Sequence, residues 1–264
     1  MNRKALVLLA AVACVAVSGV ASANVSLTAG NRTYIQIFDS MGTAGTAPPT
    51  DWVAGNFNPV SNNQPAPPDS PINIVPLLVD NGSDAAKGSN YNIGSTGAAD
   101  RALGLTGTTS TGDRMVQVGF SNNTGAPITS INVNYTGEQW SSWDSDRNVD
   151  KLFMFYSPSG AGPYVPMGTN FDFTAPVQGT GTRAVLDGND PANRVVNIGG
   201  TYIPNTAIAN GDSFYLSWFD RNDAGNDTQR AIDDLTVSVP GVPEPASLGL
   251  LGVAALGLLR RRRA

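Results

Sequence analysis

No histidine occurs among the 264 residues, and the single cysteine is Cys14. The first absence excludes Ser-His-Asp and Cys-His triads, imidazole acid–base catalysis and His-ligated zinc or iron. The second leaves no thiol, disulfide, thiolate metal site or Fe–S cluster once the first apolar run, which contains Cys14, is removed. Charged residues are sparse at 14%, and beyond the leader the only lysines are Lys87 and Lys151, neither in a Ser-x-x-Lys arrangement. No Gly-rich loop precedes a lysine in the manner of a phosphate cradle. No segment shows the periodicity of an amphipathic helix. Stability must therefore come from packing, helped at most by an oxygen-ligated ion.

What is present points to an all-β chain. Apolar residues make up 41%, enough for a core, and 29 Gly, 18 Pro and 24 Asn supply the punctuation of many short strands. β-Branched or aromatic runs recur at Thr33–Phe38, Ile72–Val79, Arg114–Phe120, Ile128–Thr136, Asp150–Tyr156, Arg194–Ile198, Ser213–Phe219 and Ala231–Val239. Ile131, Val133 and Tyr135 alternate with Asn132 and Asn134, as do Leu235, Val237 and Val239 with Thr236 and Ser238, the pattern of strands buried on one face. Lys151–Tyr156 is apolar on both faces and is expected between sheets or under a long loop. Seven prolines crowd residues 47–71, which mark a loop or edge excursion. The strand before it is too short to fold alone, so one β-sandwich domain over 24–240 is expected.

The two ends have the composition of addresses. Residues 1–23 carry Arg3 and Lys4, thirteen apolar residues from Ala5 to Val17 and then Ala21-Ser22-Ala23. This is a signal peptide cut before Asn24, its apolar helix spanning about 20 Å and so too short for a bilayer. A lipoprotein reading through Cys14 has a poor approach in Ala11-Val12-Ala13. Residues 241–264 contain Val242-Pro243-Glu244-Pro245, an apolar run from Leu248 to Leu259 and Arg260-Arg261-Arg262-Arg263. The arginines stop transfer and stay cytoplasmic, a short transmembrane helix follows from the run, and the prolines keep the motif extended on the far side. A plain C-terminal anchor is the alternative. With its ordered motif, span and basic stop, this tail resembles the PEP-CTERM sorting signal of Gram-negative bacteria. That resemblance implies recognition by exosortase, an integral-membrane cysteine enzyme, transient inner-membrane anchoring, and an association with exopolysaccharide, biofilm or floc.

Between the two addresses lie ten basic and twenty acidic residues, nineteen of them Asp, a net charge of −10 that disfavours nucleic acid and anionic membranes as partners. Ala99-Asp100-Arg101-Ala102-Leu103-Gly104, Phe120-Ser121-Asn122-Asn123-Thr124-Gly125, Tyr135-Thr136-Gly137-Glu138-Gln139-Trp140, Leu186-Asp187-Gly188-Asn189 and Trp218-Phe219-Asp220 with Ala231-Ile232-Asp233-Asp234 resemble a module of secreted bacterial proteins. The resemblance implies a jelly-roll or concanavalin-like sandwich without catalytic activity and brings no established ligand.

Candidate sites follow from residue type. Glu138, Trp140 and Trp143 form a possible glycan platform, an aromatic face for a pyranose with a carboxylate for its hydroxyls. The competing reading places one indole in the core and pairs Glu138 with Arg101 or Arg147. Trp52 and Trp218 are expected as packing residues. Asp220, Asn222, Asp223 and Asp227 offer oxygens to a structural calcium ion, as do Asp144, Asp146, Asn148 and Asp150, although neither set satisfies the EF-hand pattern and solvated Asx turns explain both. One of Asp233 and Asp234 is expected to point inward to Arg230 or a loop amide. The composite expectation is an exported, non-catalytic surface or matrix protein with a structural or adhesive role, processed by signal peptidase and exosortase. A carbohydrate-binding module for exopolysaccharide is the alternative, and a glycan-active enzyme using Glu138 a third reading.

Overall fold

β-Branched and aromatic residues alternating with polar ones dictate strands, and apart from one 3-10 turn at Asp39–Met41 every regular element among the described residues is a strand. The structure, a computed structural model, describes residues 23–57, 63–84, 87–143, 151–177, 183–222 and 227–241. The expected signal helix and C-terminal transmembrane helix lie outside them, and no helix among the described residues is long and apolar enough to cross a membrane.

In chain order the strands are β1 (Val25–Thr28), β2 (Thr33–Gln36), β3 (Trp52–Asn56), β4 (Asn73–Ile74), β5 (Leu78–Asp80), β6 (Ser89–Ile93), β7 (Ala102–Thr106), β8 (Arg114–Asn123) and β9 (Ile131–Gln139). They continue as β10 (Ser141–Ser142), β11 (Lys151–Ser157), β12 (Val165–Pro166), β13 (Phe173–Thr174), β14 (Ala184–Val185), β15 (Arg194–Tyr202), β16 (Ser213–Asp220) and β17 (Arg230–Ser238). One sheet has the order β12-β11-β16-β8-β3-β4, with β1 added to β8 and β13 to β11. The other runs β15-β9-β17-β7-β6-β5, with β2 added to β17, and β10 and β14 form a small separate ribbon. The two large sheets make a sandwich.

Its centre is aromatic. Trp218 of β16 stacks on Trp52 of β3 at 5.5 Å between ring centroids, and Tyr135 of β9 meets Trp218 edge-on at 5.5 Å from the opposite sheet. Phe120 stacks on Phe214 at 4.9 Å. Both polar ends are accommodated: Trp52 Nε1 donates to Tyr34 Oη at 3.0 Å, and Tyr135 Oη to the Phe171 carbonyl at 2.7 Å. The inward sets Ile131, Val133, Tyr135 and Leu235, Val237, Val239 are buried as their alternation requires.

Lys151–Tyr156 lies under a long loop. Leu152, Met154 and Tyr156 join the central core, whereas Phe155 packs with Phe57, Met115, Tyr164 and Phe219 in a second cluster covered by Ala66 of the proline-rich excursion and by Ile72 just after it. That excursion is thus a lid over one sheet's outer face. The single run expected over Ile72–Val79 divides into β4 and β5 because Pro76 sits between them and can donate no ladder bond.

Trp218→Ala is expected to lose roughly 3–5 kcal/mol in urea unfolding, since it opens a large cavity between the sheets. Ile35, 65% exposed on β2, is the control, and Ile35→Ala should stay within about 0.5 kcal/mol of the parent.

Candidate functional site

Three of the widely separated sequence motifs converge on the outer face of the second sheet. Glu138 of β9 lies opposite Ala231 of β17, and Thr136 opposite Asp233. Residues two apart share a face, so Glu138, Ala231 and Asp233 project together, away from Tyr135 and Ile232 on the core side. Tyr91, Ile93, Ala102, Trp140 and Ala231 form an apolar cluster on that face.

Trp140 is only 1% exposed and Glu138 2%. The indole Nε1 donates to Glu138 Oε2 at 2.9 Å. The turn Leu186-Asp187-Gly188-Asn189 closes over them: the Leu186 amide donates to the Trp140 carbonyl at 2.9 Å, and a Cβ at Gly188 would stand 2.4 Å from the indole. Only glycine admits so close an approach. Ser95 Oγ fastens the turn from the other side by donating to Asp187 Oδ1 at 3.2 Å.

The glycan platform expected at Glu138, Trp140 and Trp143 is therefore not an open surface. Trp140 fills a lidded cluster with Glu138 as its hydrogen-bond acceptor, and Trp143 is half-buried with the Arg183 guanidinium 5.3 Å above its ring. The expected Glu138–Arg101 ion pair also gives way. Arg101 Nε donates to Asn92 Oδ1 at 2.7 Å and its Nη2 to the Asn92 carbonyl at 2.5 Å, while Arg147 lies outside the described residues.

Asp233 is the buried member of the Asp233–Asp234 pair, 5% exposed, although it lies on the sheet's outer face rather than pointing into the core, and Asp234 is exposed. Its neighbour is Glu138 rather than Arg230, and Asp233 Oδ1 has no hydrogen-bond partner. Burial, reinforced by the Glu138 charge, pushes the Asp233 carboxyl up to about 9. Burial also raises Glu138 to about 7, against the stabilising hydrogen bond from Trp140 and with Asp100 adding to the rise. At neutral pH Asp233 thus holds a proton, and Glu138 sits near its titration point. Two coupled carboxyls resemble an acid–base pair in chemistry, and both are buried.

Arg230 instead makes a buried ion pair between the sheets, Nη2 lying 2.5 Å from Asp220 Oδ1. Asp220 Oδ2 accepts from the Gly107 amide at 2.7 Å. Of the candidate calcium ligands, Asp220 is thereby engaged by protein donors, the Asn222 amide donates to Asp113 Oδ1 at 2.9 Å, Asp227 is buried, and Asp223 lies outside the described residues. Asp144, Asp146, Asn148 and Asp150 also lie outside them. Among the described residues no group of three or more His, Cys, Asp or Glu is placed to hold a metal ion.

An open cavity of about 250 Å³ is lined in part by Thr43, Asp80, Asn81, Thr96 and Arg101, below the ~300–1,000 Å³ of ordinary small-molecule sites. Sequence reasoning also missed the arrangement at the end of β17, where Arg32 holds the Pro240 carbonyl at 2.9 Å. An isolated Arg before a strand carries no signal of such a contact.

Residues 241–263 match the PEP-CTERM protein-sorting motif. Val242–Pro245 and Arg260–Arg263, which carry the motif and its basic stop, lie outside the described residues. No curated protein matches the chain. Among solved structures it is similar to the K2 cleaved adhesin domain of Lys-gingipain, at 13% identity and TM-score 0.40, with 79% of this chain and 98% of that one covered. It is also similar to the enzymatically active domain of bacteriophage CBA120 tailspike protein 4, at 8% identity and TM-score 0.33, covering 72% of this chain and 19% of that one. A third likeness is to TmCBM61 in complex with β-1,4-galactotriose, at 11% identity and TM-score 0.23, covering 55% and 74%.

Both raised carboxyls bind protons more tightly in the folded chain than in the unfolded one, where carboxyls titrate near about 4. Their contribution to stability is full below that value and is lost as the pH rises through about 7 for Glu138 and about 9 for Asp233. Thermal melts from about pH 5 to 9 are expected to show stability falling by ~3 kcal/mol or more. Asp233→Asn should flatten the alkaline part of the curve and Glu138→Gln the neutral part. A parent curve as flat as the double variant's would refute the assignment.

Proposed function

We propose that the chain is an exported, non-catalytic surface or matrix protein whose β-sandwich has a structural or adhesive role linked to exopolysaccharide or biofilm. The PEP-CTERM motif marks it as an exported protein sorted by exosortase. The observation that carries the finer reading is the fate of the side chains that could do chemistry. Trp140, Glu138 and Asp233 are enclosed by the fold, and Trp52 and Trp218 are core. Cohesion through a folded surface needs no reactive group, whereas glycan recognition by stacking uses an exposed aromatic face, which Trp140 does not offer.

In this reading residues 1–23 are the leader of a Gram-negative secretory precursor and 24–240 one sandwich of the jelly-roll or concanavalin-like class. Residues 241–264 are the sorting signal, which anchors the precursor transiently in the inner membrane. A structural calcium ion near Asp220–Asp227 belongs to the same proposal and is separable from it: chelation should lower the melting temperature if the native state alone binds the ion.

Fractionation of cells with and without the sorting enzyme, with mass spectrometry of both termini, is expected to show Asn24 as the first residue and loss of the arginine cluster only when the enzyme is present. A glycan array probed with the sorted product should give no saturable binding. Saturable binding that disappears in Trp143→Ala would replace the structural reading with a carbohydrate-binding module. Polysaccharide turnover abolished by Glu138→Gln would replace it with an enzyme.

A further inference from the structure

β17 does not end loosely before the sorting motif. Val239, one residue beyond the strand, is 4% exposed within the central core, and its amide donates to the Arg32 carbonyl at 3.0 Å. Arg32 then reaches around the chain end: Nη1 donates to the Pro240 carbonyl at 2.9 Å, and Nη2 to the Thr124 carbonyl at 3.4 Å. Arg32 immediately precedes β2, whose Thr33 pairs with Ser238, so the guanidinium comes from the strand that already borders β17. The fold is closed through Pro240, and only Gly241 and Val242 separate this closure from Pro243.

An enzyme that binds its substrate as an extended strand needs residues on both sides of the cut released from other backbone hydrogen bonds. A cut before Pro243 would draw residues 239–242 into the cleft. Unhooking them exposes Val239 and breaks two hydrogen bonds, which lowers the population of the open end on the order of a hundred- to a thousandfold. A cut after Pro243 draws in residues 240–243, so Val239 stays buried with its amide bonded and only the Arg32–Pro240 hydrogen bond opens; a cut after Glu244 disturbs neither.

Tether length adds a second constraint. Seven residues, 241–247, separate Pro240 from the apolar run, a reach of at most about 25 Å. The nine residues of β17 alone measure about 30 Å. The sandwich must therefore meet the membrane-embedded enzyme with the end bearing loops 29–32, 124–130 and 203–212. Those loops contain one acid, Asp212, and one base, Arg32, whereas Asp84, Asp113, Asp220 and Asp227 lie toward the opposite end.

We propose that Arg32 is a positioning residue for sorting: by fastening Pro240 to the sandwich it sets the N-terminal limit of the segment the sorting enzyme can engage, so the product retains Val239 and Pro240 in the fold and ends at Pro243 or later. In that step a backbone amide bond breaks, water or an amine adds to its carbonyl carbon, and the departing nitrogen leaves protonated with the tail. The inference rests on the sorting reading.

The test is mass spectrometry of the product C-terminus from full-length chain made in cells that hold the sorting enzyme. The parent should end at Pro243 or later. Arg32→Ala should add ends upstream of Pro243, several-fold above the parent's background, and Arg32→Lys, which can still donate to the Pro240 carbonyl, should restore the parent pattern. A six-residue Gly-Ser insertion after Pro240 leaves Arg32 and the fold intact and should also admit upstream ends, which keeps the test valid if Arg32→Ala does not accumulate. A parent product ending at Val242 or earlier overturns the proposal. So does an unchanged end in Arg32→Ala accompanied only by a lower melting temperature, or an unchanged end in the insertion variant. Exported protein that keeps Arg260–Arg263 overturns the sorting reading itself, and this inference with it.

Discussion

Packing of Trp218 between Trp52 and Tyr135 is the constraint from which the remaining architecture follows. The first contact is within a sheet and the second is between sheets, so one indole fixes both lateral order and sheet separation. With a single cysteine the chain can form no internal disulfide, and so it has no covalent substitute for this junction. Tyr34 of β2 extends it, its hydroxyl oxygen accepting a hydrogen bond from the Trp52 indole N–H and its ring meeting Phe120 edge-on at 5.6 Å. Large rings placed here gather strands from distant parts of the chain. The same demand for buried aromatic area leaves few rings on the surface for recognition.

Polar residues inside the sandwich specify it in a different way. Asn92 donates to the carbonyls of Gly42 and Gly45 at 2.8 and 2.9 Å, tying the turn after the 3-10 segment to β6. Asn90 donates to the Met115 carbonyl at 3.1 Å across the sheets, and Arg230 reaches Asp220 in the same direction. A buried ion pair contributes little net stability after desolvation, but removing one partner is costly, so such contacts penalise alternative registers more than they strengthen the native one. The Glu138–Asp233 pair fits this pattern. With Asp233 protonated at neutral pH, the two carboxyls are tolerated under the Gly188 turn.

The residues explain which parts of this were legible beforehand. Strands with clean alternation, Ile131–Tyr135 and Leu235–Val239, were readable because each has one dry face. β6 and β7 were not, since Ser89-Asn90-Tyr91-Asn92-Ile93 is buried throughout, and its asparagines donate to distant carbonyls, Asn90 to Met115 of β8 and Asn92 to Gly42 and Gly45, that no local pattern reveals. The core role of Trp218 was legible from its alternation with Phe214 and Leu216, whereas that of Trp52 was expected without a strand to place it. The lid over Trp140 was not, because it depends on Gly188, 48 positions away, approaching the indole without a side chain. Composition excluded imidazole chemistry and confined any thiol to Cys14. It could not show that Glu138 would bond to Trp140 and that Asp220 would pair with Arg230.

β17 connects the acidic face to the exit of the chain through a change of phase. Ile232 and Leu235 are both core residues, yet a spacing of three is incompatible with the two-residue period of a strand. The register against β9 accordingly shifts between Asp233 and Thr236, and Asp234 takes a left-handed φ of 50°, a conformation that aspartate tolerates better than most residues. Without that extra residue, Leu235, Val237 and Val239 would all turn to the outer face. The bulge therefore does two things at once. It separates buried Asp233 from exposed Asp234 at the acidic face, and it sends Val239 inward, so that the backbone emerges beside Arg32 already anchored on its core side. The point at which the fold ends and the sorting signal begins is thus determined seven residues upstream of Gly241, by the single residue that breaks the strand's alternation.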